Sequence, residues 1–336
     1  RRETSILTYH ARIVHGNLYF ITPSFIISVI RMAYYLHIIK AAAIKYDIIG
    51  QAKLLSSCFL LIQIFYYERN KIMKVYIRAD IEGVPGVTNW DETELYHAAH
   101  SAAAAQMTKE VVAACRAAIS AGADEILLKD GHDSARNIIA EALPEEVVLI
   151  RGWTNSPESM MAGIDESFDA AIFIGYHSGA GCNGNPLSHT MNLDNNFVKI
   201  NGAYASEFDL NLYTAAHVGV PVVFLSGDAQ VCEHAKKILP SLETVAVKAG
   251  IGNATFNMHG DKACRLIETG VKKGMQKLEA CKIKEPTQYE VEINFKECVR
   301  AYRASFYPGV EQIDAKTVRY TAKDAHEMMT TRMYIL

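Results

Sequence analysis

The sequence predicts an α/β fold: a three-layer α/β/α arrangement on a mostly parallel sheet, with a smaller α+β subdomain at the C-terminal end. Short apolar runs at 74–79, 125–129, 146–150, 170–175 and 221–226 have the length and composition of buried strands. Helical stretches such as His97 to Ala121, Glu207 to His217 and Gln230 to Leu239 alternate with them, the pattern that places helices on the faces of a parallel sheet. Of the 336 residues, those beyond 72 suffice for one large domain, or for a large and a small one.

Residues 1–72 stand apart. They hold nine of the 34 Lys/Arg and three of the 37 Asp/Glu, a net of +6, whereas residues 73–336 carry −9. The run from Asn17 to Ile39 is long enough to span a bilayer, but Pro23 and Arg31 interrupt it, and a charge at mid-span is costly. A second run, Leu54 to Tyr67, is too short for a confident span. No charged n-region, single apolar core and small-residue cleavage site occur in order, which disfavours a signal peptide. A membrane anchor, an extra capping subdomain and translated upstream sequence are the competing accounts of this segment.

Lys74 to Ala79 reads as a strand running into Asp80-Ile-Glu82. In extended chain, residues i and i+2 point the same way, so the two carboxylates face one spot. Gly83, Pro85 and Gly86 end the strand and let the backbone turn close to whatever the carboxylates hold. The helix from His97 to Ala121 is Ala-rich, suited to close packing on a sheet, and stops at Gly122. Two further strands end in a histidine: Glu125 to Asp130, then Gly131 and His132, and Asp169 to Tyr176, then His177. In an open parallel sheet the ligand crevice lies outside the carboxyl ends of the strands, so these ends can converge. Glu207, after the turn signal Asn201-Gly202, opens a helix and can point its carboxylate to the same place. Residues 192–205 read as a β excursion on the edge of the main sheet.

The pattern loosens beyond residue 247. Lys248 to Asn253 reads as a turn-rich connector, His259 to Cys281 as an amphipathic helix, and Gln288 to Phe295 and Lys316 to Tyr320 as strands. The domain reading is therefore an atypical extension at 1–72, an α/β core at 73–247 and an α+β subdomain at 248–336. His259 and His326 are read as surface or capping residues.

Asp80, Glu82, His132, His177 and Glu207 together offer the mixed carboxylate and imidazole donors expected around zinc or a similar divalent ion. Each also has a plainer reading, as a solvated turn or a hydrogen-bonded loop residue. The glycine-rich loop around Gly179, Gly181 and Gly184 lacks the Lys-Ser/Thr ending of a phosphate cradle and reads as a flexible substrate loop.

From Met73 onward the chain resembles the zinc-dependent D-aminopeptidase family. The likeness runs through Asp80-Ile-Glu82-Gly-Val, Asp130-Gly-His132-Asp-Ser134, Gly175-Tyr-His177, Ser188-His189-Thr-Met191, Glu207 to Tyr213 and Pro221 to Asp228, in the family's order and at nearly its spacing. The resemblance implies two zinc ions per subunit, with Asp80 bridging them, Glu82, His132, His177 and Glu207 completing the ligation, and His189 as the catalytic residue. It also implies a homo-oligomer, since family members assemble into closed rings that enclose their active sites. The loop from His177 to His189 looks about one residue longer than in a relative, which bears on substrate preference more than on metal. Asp130 and Asp133 are read either as recognising the substrate α-amine or as orienting metal-bound histidines. Because the likeness begins at Met73, residues 1–72 are expected to be translated from upstream of the true start, and membrane contact is expected only if they are authentic.

Seven cysteines, an odd number without a Cys-x-x-Cys pair, argue against a disulfide framework or a thiolate zinc site and favour a reducing compartment. The net charge of −3 gives no case for nucleic-acid binding. The reading as a whole is a cytoplasmic dinuclear zinc aminopeptidase that cleaves the N-terminal peptide bond of short peptides, with a D-amino acid first. A metal-dependent amide or ester hydrolase of other specificity, and a non-catalytic peptide-binding accessory of a transporter, are the alternatives.

Overall fold

The computed structural model describes residues 72–336 and, before them, the backbone of two short strands. These are β1 (Ala11–Val14) and β2 (Asn17–Phe20), paired antiparallel with Ala11 opposite Phe20. The chain divides into two units between Lys71 and Ile72. Beyond Phe20, the run expected to Ile39 lies outside the described residues, as does the run from Leu54 to Tyr67. Among the described residues no helix is long and apolar enough to cross a membrane.

In the second unit the strands that build the main sheet are β3 (Lys74–Ala79), β4 (Glu125–Asp130), β5 (Val147–Ile150) and β6 (Ala170–Tyr176). A short pair, β7 (Asn195–Ile200) and β8 (Ala203–Tyr204), intervenes before the main sheet resumes with β9 (Val222–Asp228), β10 (Glu243–Ile251) and β11 (Ala254–Asn257). The sheet order is β11-β10-β9-β6-β3-β4-β5, parallel throughout except for the β10–β11 hairpin. The five expected strands form within a residue or two of their predicted ends. The central strands β6 and β9 are buried along their whole length, as parallel strands covered on both faces must be.

Helices α1 (His100–Ser120), α2 (Glu207–His217), α3 (Ala229–Ile238) and α4 (Gly260–Gly274) complete the three layers. Helix α1 packs on β3, β6 and α4, while α2 and α3 touch each other and reach β6, β9 and β10. Helix α1 begins three residues later than the periodicity predicts, because residues 97–99 form a turn before the helix. It ends as read, with Gly122 at φ +107°, a conformation that favours glycine.

The remaining strands, β12 (Tyr289–Phe295), β13 (Val310–Gln312) and β14 (Thr317–Ala322), form a second, antiparallel sheet with β7 and β8 in the order β13-β14-β12-β7-β8. Helices α5 (Cys298–Ala304) and α6 (Ala325–Ile335) pack on it. The excursion at 192–205 therefore does not edge the main sheet. Val198 and Ile200 bury their side chains beside Val291 and Ile293 in a separate core. The change of subdomain expected at residue 247 falls inside β10, and Ala263, Ile267 and Val271 of α4 are buried in the main-sheet core. Lys248 to Ile251, read as a connector, is strand; only Gly252 and Asn253 turn, joining β10 to β11 as a two-residue hairpin loop.

Successive connections carry the chain from β3 to β4 in one direction and from β6 to β9 and β10 in the other. The reversal lies between the adjacent strands β3 and β6, which makes their carboxyl ends the place for a ligand crevice.

Candidate metal centre

Asp80 follows β3 directly and Glu82 lies two residues on. The backbone turns beyond Asp80, with Val84 N–H donating to the Ile81 carbonyl at 3.1 Å, yet it stays against β6, Asp80 N–H donating to the Ile174 carbonyl at 2.8 Å and Gly83 N–H to the Gly175 carbonyl at 2.9 Å. Gly83 sits within this turn, and the close approach to β6 requires it. A Cβ there would stand 1.9 Å from the Tyr176 carbonyl oxygen.

His132 comes from the loop after β4, which Asp130 organises. The Asp130 carboxylate accepts from Asn137 N–H at 2.5 Å, Ile138 N–H at 3.0 Å and the Asn137 side-chain amide at 3.0 Å. His177 leaves the end of β6. Glu207 is the first residue of α2, as expected, behind a capping box formed by Ser206 and Asp209. His189 stands on the loop between β6 and β7. The structure thus gathers all six residues singled out in the sequence, from five separated segments.

The imidazoles share one pattern. His132 Nε2 lies 2.9 Å from the Thr93 carbonyl, His177 Nδ1 2.9 Å from the Ser178 carbonyl and His189 Nδ1 2.9 Å from the Leu187 carbonyl. A carbonyl only accepts, so each of these nitrogens carries the proton and the other ring nitrogen turns toward the carboxylates. His132 Nδ1 sits 2.9 Å from Glu82 Oε1 and 3.4 Å from Asp80 Oδ1. His177 Nε2 sits 3.5 Å from Glu207 Oε2 and 3.7 Å from Asp80 Oδ2. His189 Nε2 lies 3.5 Å from Glu207 Oε1 and 3.9 Å from Glu82 Oε1. The two oxygens of Asp80 therefore face different partners.

The charges act on one another at close range. Burial pushes the Asp80 carboxyl up, yet the Arg78 guanidinium together with His132 and His177 holds it well below the usual carboxylate range. Burial opposes charge on His177, but Glu207, Glu82 and Asp80 raise it to about 10, and Glu82 and Asp80 likewise raise His132 against its burial. Glu207 is lowered, because His177 outweighs the effect of burial. The cluster is a negative well that favours any cation, proton or metal, over an empty space.

These donors fit a divalent metal. Among the described residues, Asp80, Glu82 and His132 form one group with donor atoms within 4.8 Å of one another, and Asp80, His177 and Glu207 another; a third joins Glu82, His177 and His189. Glu82 Oε2 and His177 Nε2 are buried without a hydrogen bond, as donors awaiting an ion are. Oxygen and imidazole nitrogen without thiolate suit zinc and similar ions, and ligating histidines characteristically donate their second N–H to a carbonyl or carboxylate.

The cluster opens on a cavity of about 410 Å³ whose walls include Trp90, Thr93, Glu94, Trp153, Met160 and Leu193. A wider depression of about 660 Å³ lies between residues 297–308 and the C-terminal helix, away from every metal-type donor group among the described residues. His189 is the most open of the six, its side chain 12% exposed. Asp133 also lines the cavity, whereas both Asp130 oxygens are occupied within their own loop. His259 takes a capping role: its Nδ1 accepts from Asp261 N–H at 3.2 Å at the start of α4. His326 is exposed, 3.4 Å from Glu158.

Sequence reading missed Arg78, Thr93 and Trp90. Arg78 had a signal: it precedes Asp80 by two at the end of the strand and so shares its side, and it is a charged residue set between the apolar Ile77 and Ala79. Thr93 acts through its carbonyl, which no side-chain pattern reveals. Trp90 meets the His189 ring edge-on at 5.3 Å, a long-range contact with no local signature.

Comparison with known proteins supplies an independent line. The family model described as D-aminopeptidase matches residues 73–333. A D-aminopeptidase of Bacillus subtilis (strain 168) is 30% identical over 258 residues, covering 76% of this chain and 93% of the relative. Among solved structures, the zinc-dependent D-aminopeptidase DppA of Bacillus subtilis, a self-compartmentalizing protease, is similar with a TM-score of 0.74 and 28% identity, covering 78% of this chain and 96% of that one.

Proposed function

We propose a function from one premise: the chain belongs to the D-aminopeptidase family, whose model spans residues 73–333. It is thereby a metallopeptidase, a hydrolase whose metal is zinc. The finer reading is a dinuclear zinc aminopeptidase that cleaves the N-terminal peptide bond of short peptides beginning with a D-amino acid. Its support is the division of Asp80, with Oδ1 toward His132 and Oδ2 toward His177, so that one carboxylate serves two donor groups.

In this reading Asp80, Glu82 and His132 hold one zinc, and Asp80, His177 and Glu207 the other. Zinc held there supplies Lewis acidity that polarises a carbonyl and makes a water acidic near neutral pH. His189 Nε2 accepts the proton of the attacking water and returns it to the departing amine nitrogen. Its Nδ1–H bond to the Leu187 carbonyl fixes the tautomer this requires. Trp90, Trp153 and Met160 give the cavity apolar walls, and Asp133 and Glu94 are the lining carboxylates outside the metal groups that are available to a substrate ammonium. Assembly of several copies is part of the proposal, supported by the self-compartmentalizing relative.

The test is release of alanine from D-Ala-D-Ala and from D-Ala amide by the purified chain with zinc restored, beside the L-isomers. Turnover of the D-substrates that stops on chelation and returns with zinc supports the reading. Full activity after complete chelation overturns it, and equal rates on L-substrates overturn the stereochemical part alone.

A further inference from the structure

Arg78 is fully buried, and its guanidinium grips the same oxygens that face His177. Nη1 donates to Asp80 Oδ2 at 2.6 Å and Nη2 to Glu207 Oε2 at 3.3 Å. The group cannot swing away. It lies 4.4 Å over the Tyr176 ring, whose hydroxyl accepts from the Asn211 side-chain amide at 2.9 Å, and its Nη2 also donates to the Gly131 carbonyl at 3.3 Å. A Cβ on Gly131 would come within 2.6 Å of Arg78 Nε, so the loop that carries His132 is shaped around this side chain. On the other side of Asp80, the Lys248 ammonium reaches Glu82 only at its backbone carbonyl, at 2.7 Å, and among the described residues no lysine or arginine forms an ion pair with the Glu82 carboxylate, whose partners there are His132 and His189.

We propose that Arg78 makes the two metal positions unequal: the position at Glu82 and His132 fills first, and the one at His177 and Glu207 fills only at higher zinc, because a fixed cation already shares its carboxylates. Arg78 is in this sense a positioning residue. It holds Asp80 and Glu207 in place when the second position is vacant and opposes the ion that would fill it. A like charge a few ångströms away in a buried site weakens binding on the order of 10- to 100-fold. The inference rests on the dinuclear reading above.

The experiment is titration of the metal-free full chain with zinc alone, by calorimetry and by equilibrium dialysis with elemental analysis. Two binding events at least about tenfold apart are expected, with His132→Ala removing the tighter and His177→Ala the weaker. Arg78→Met, checked for folding by circular dichroism, should strengthen the weaker event about tenfold or more and leave the tighter one in place, while Arg78→Lys should retain the gap. Equal constants in the wild type, loss of the tighter event in His177→Ala, or an unchanged or weakened second event in a folded Arg78→Met overturns the inference while leaving two zinc ions intact. Saturation of the wild type at one zinc overturns the dinuclear reading, and this inference with it.

Discussion

The rings of His177 and His189 lie parallel, with centroids 4.3 Å apart and 7° between their planes. Trp90 meets the same His189 ring at 72° with centroids 5.3 Å apart, and His189 Nε2 lies 3.5 Å from Glu207 Oε1 and 3.9 Å from Glu82 Oε1. A proton-transfer group held this way needs no reorganisation, because its orientation is fixed before substrate arrives.

His189→Ala should lower kcat about 10²- to 10⁴-fold, the range for loss of a general acid–base group, while zinc content stays that of the wild type. Steady-state kinetics with elemental analysis on one preparation checks both halves. Loss of zinc in this variant would make His189 a ligand instead.

Asp130→Ala should reach the metal indirectly. Its carboxylate satisfies the Asn137 and Ile138 N–H groups and the Asn137 amide, which is also bonded to the His132 carbonyl at 2.8 Å. Without it His132 loses its support, and zinc affinity should fall about 10- to 100-fold. A competition titration against a chromophoric chelator measures this; an unchanged affinity would mean that the loop holds its shape without Asp130.

Glu110 predicts a pH dependence remote from the cluster. It is buried in α1, with Oε1 accepting from Gln106 at 3.1 Å and Oε2 unpaired, and burial raises its pKa from 4.5 to about 8 despite the opposing Gln106 bond and Lys248. The folded state therefore keeps a proton that the unfolded chain releases. Stability is full below pH 4.5 and falls as pH rises toward 8, by at most about 1.4 kcal/mol per pH unit. Glu110→Gln should match the wild type near pH 4.5 and exceed it increasingly up to pH 8, read as the difference in urea midpoints at each pH. A constant difference across that range would contradict this account.

Gly83→Ala should destabilise the chain by more than about 3 kcal/mol. The added methyl would stand 1.9 Å from the Tyr176 carbonyl and 2.5 Å from that of Gly175, both backbone, so it must drive β3 and β6 apart at the point where Asp80 meets His177. Thermal unfolding measures the loss, and zinc affinity should fall with it.

The sequence by itself determined the elements and their order. Period-two and continuous apolar runs specify strands, and the strand over 74–79 delivers Asp80 at its end; the extended chain expected to carry on to Glu82 gives way to a turn at 81–84, so it is the fold of that turn against β6 that sets Glu82 beside Asp80. The same local rule placed His132 and His177 at strand ends and Glu207 at a helix start. Tertiary structure decided what those local rules leave open. Alternation marks 195–200 as a strand without naming its partner, and that partner proved to be β12, across some ninety residues. Glycines and a lysine made 248–251 resemble a connector, although pairing with β9 and β11 holds it extended. The side of Asp80 that Arg78 occupies, the carbonyl that fixes each imidazole and the ring above His177 all depend on contacts between distant segments. Periodicity encodes which way a side chain points within its own element, and only the packed chain sets what it meets there.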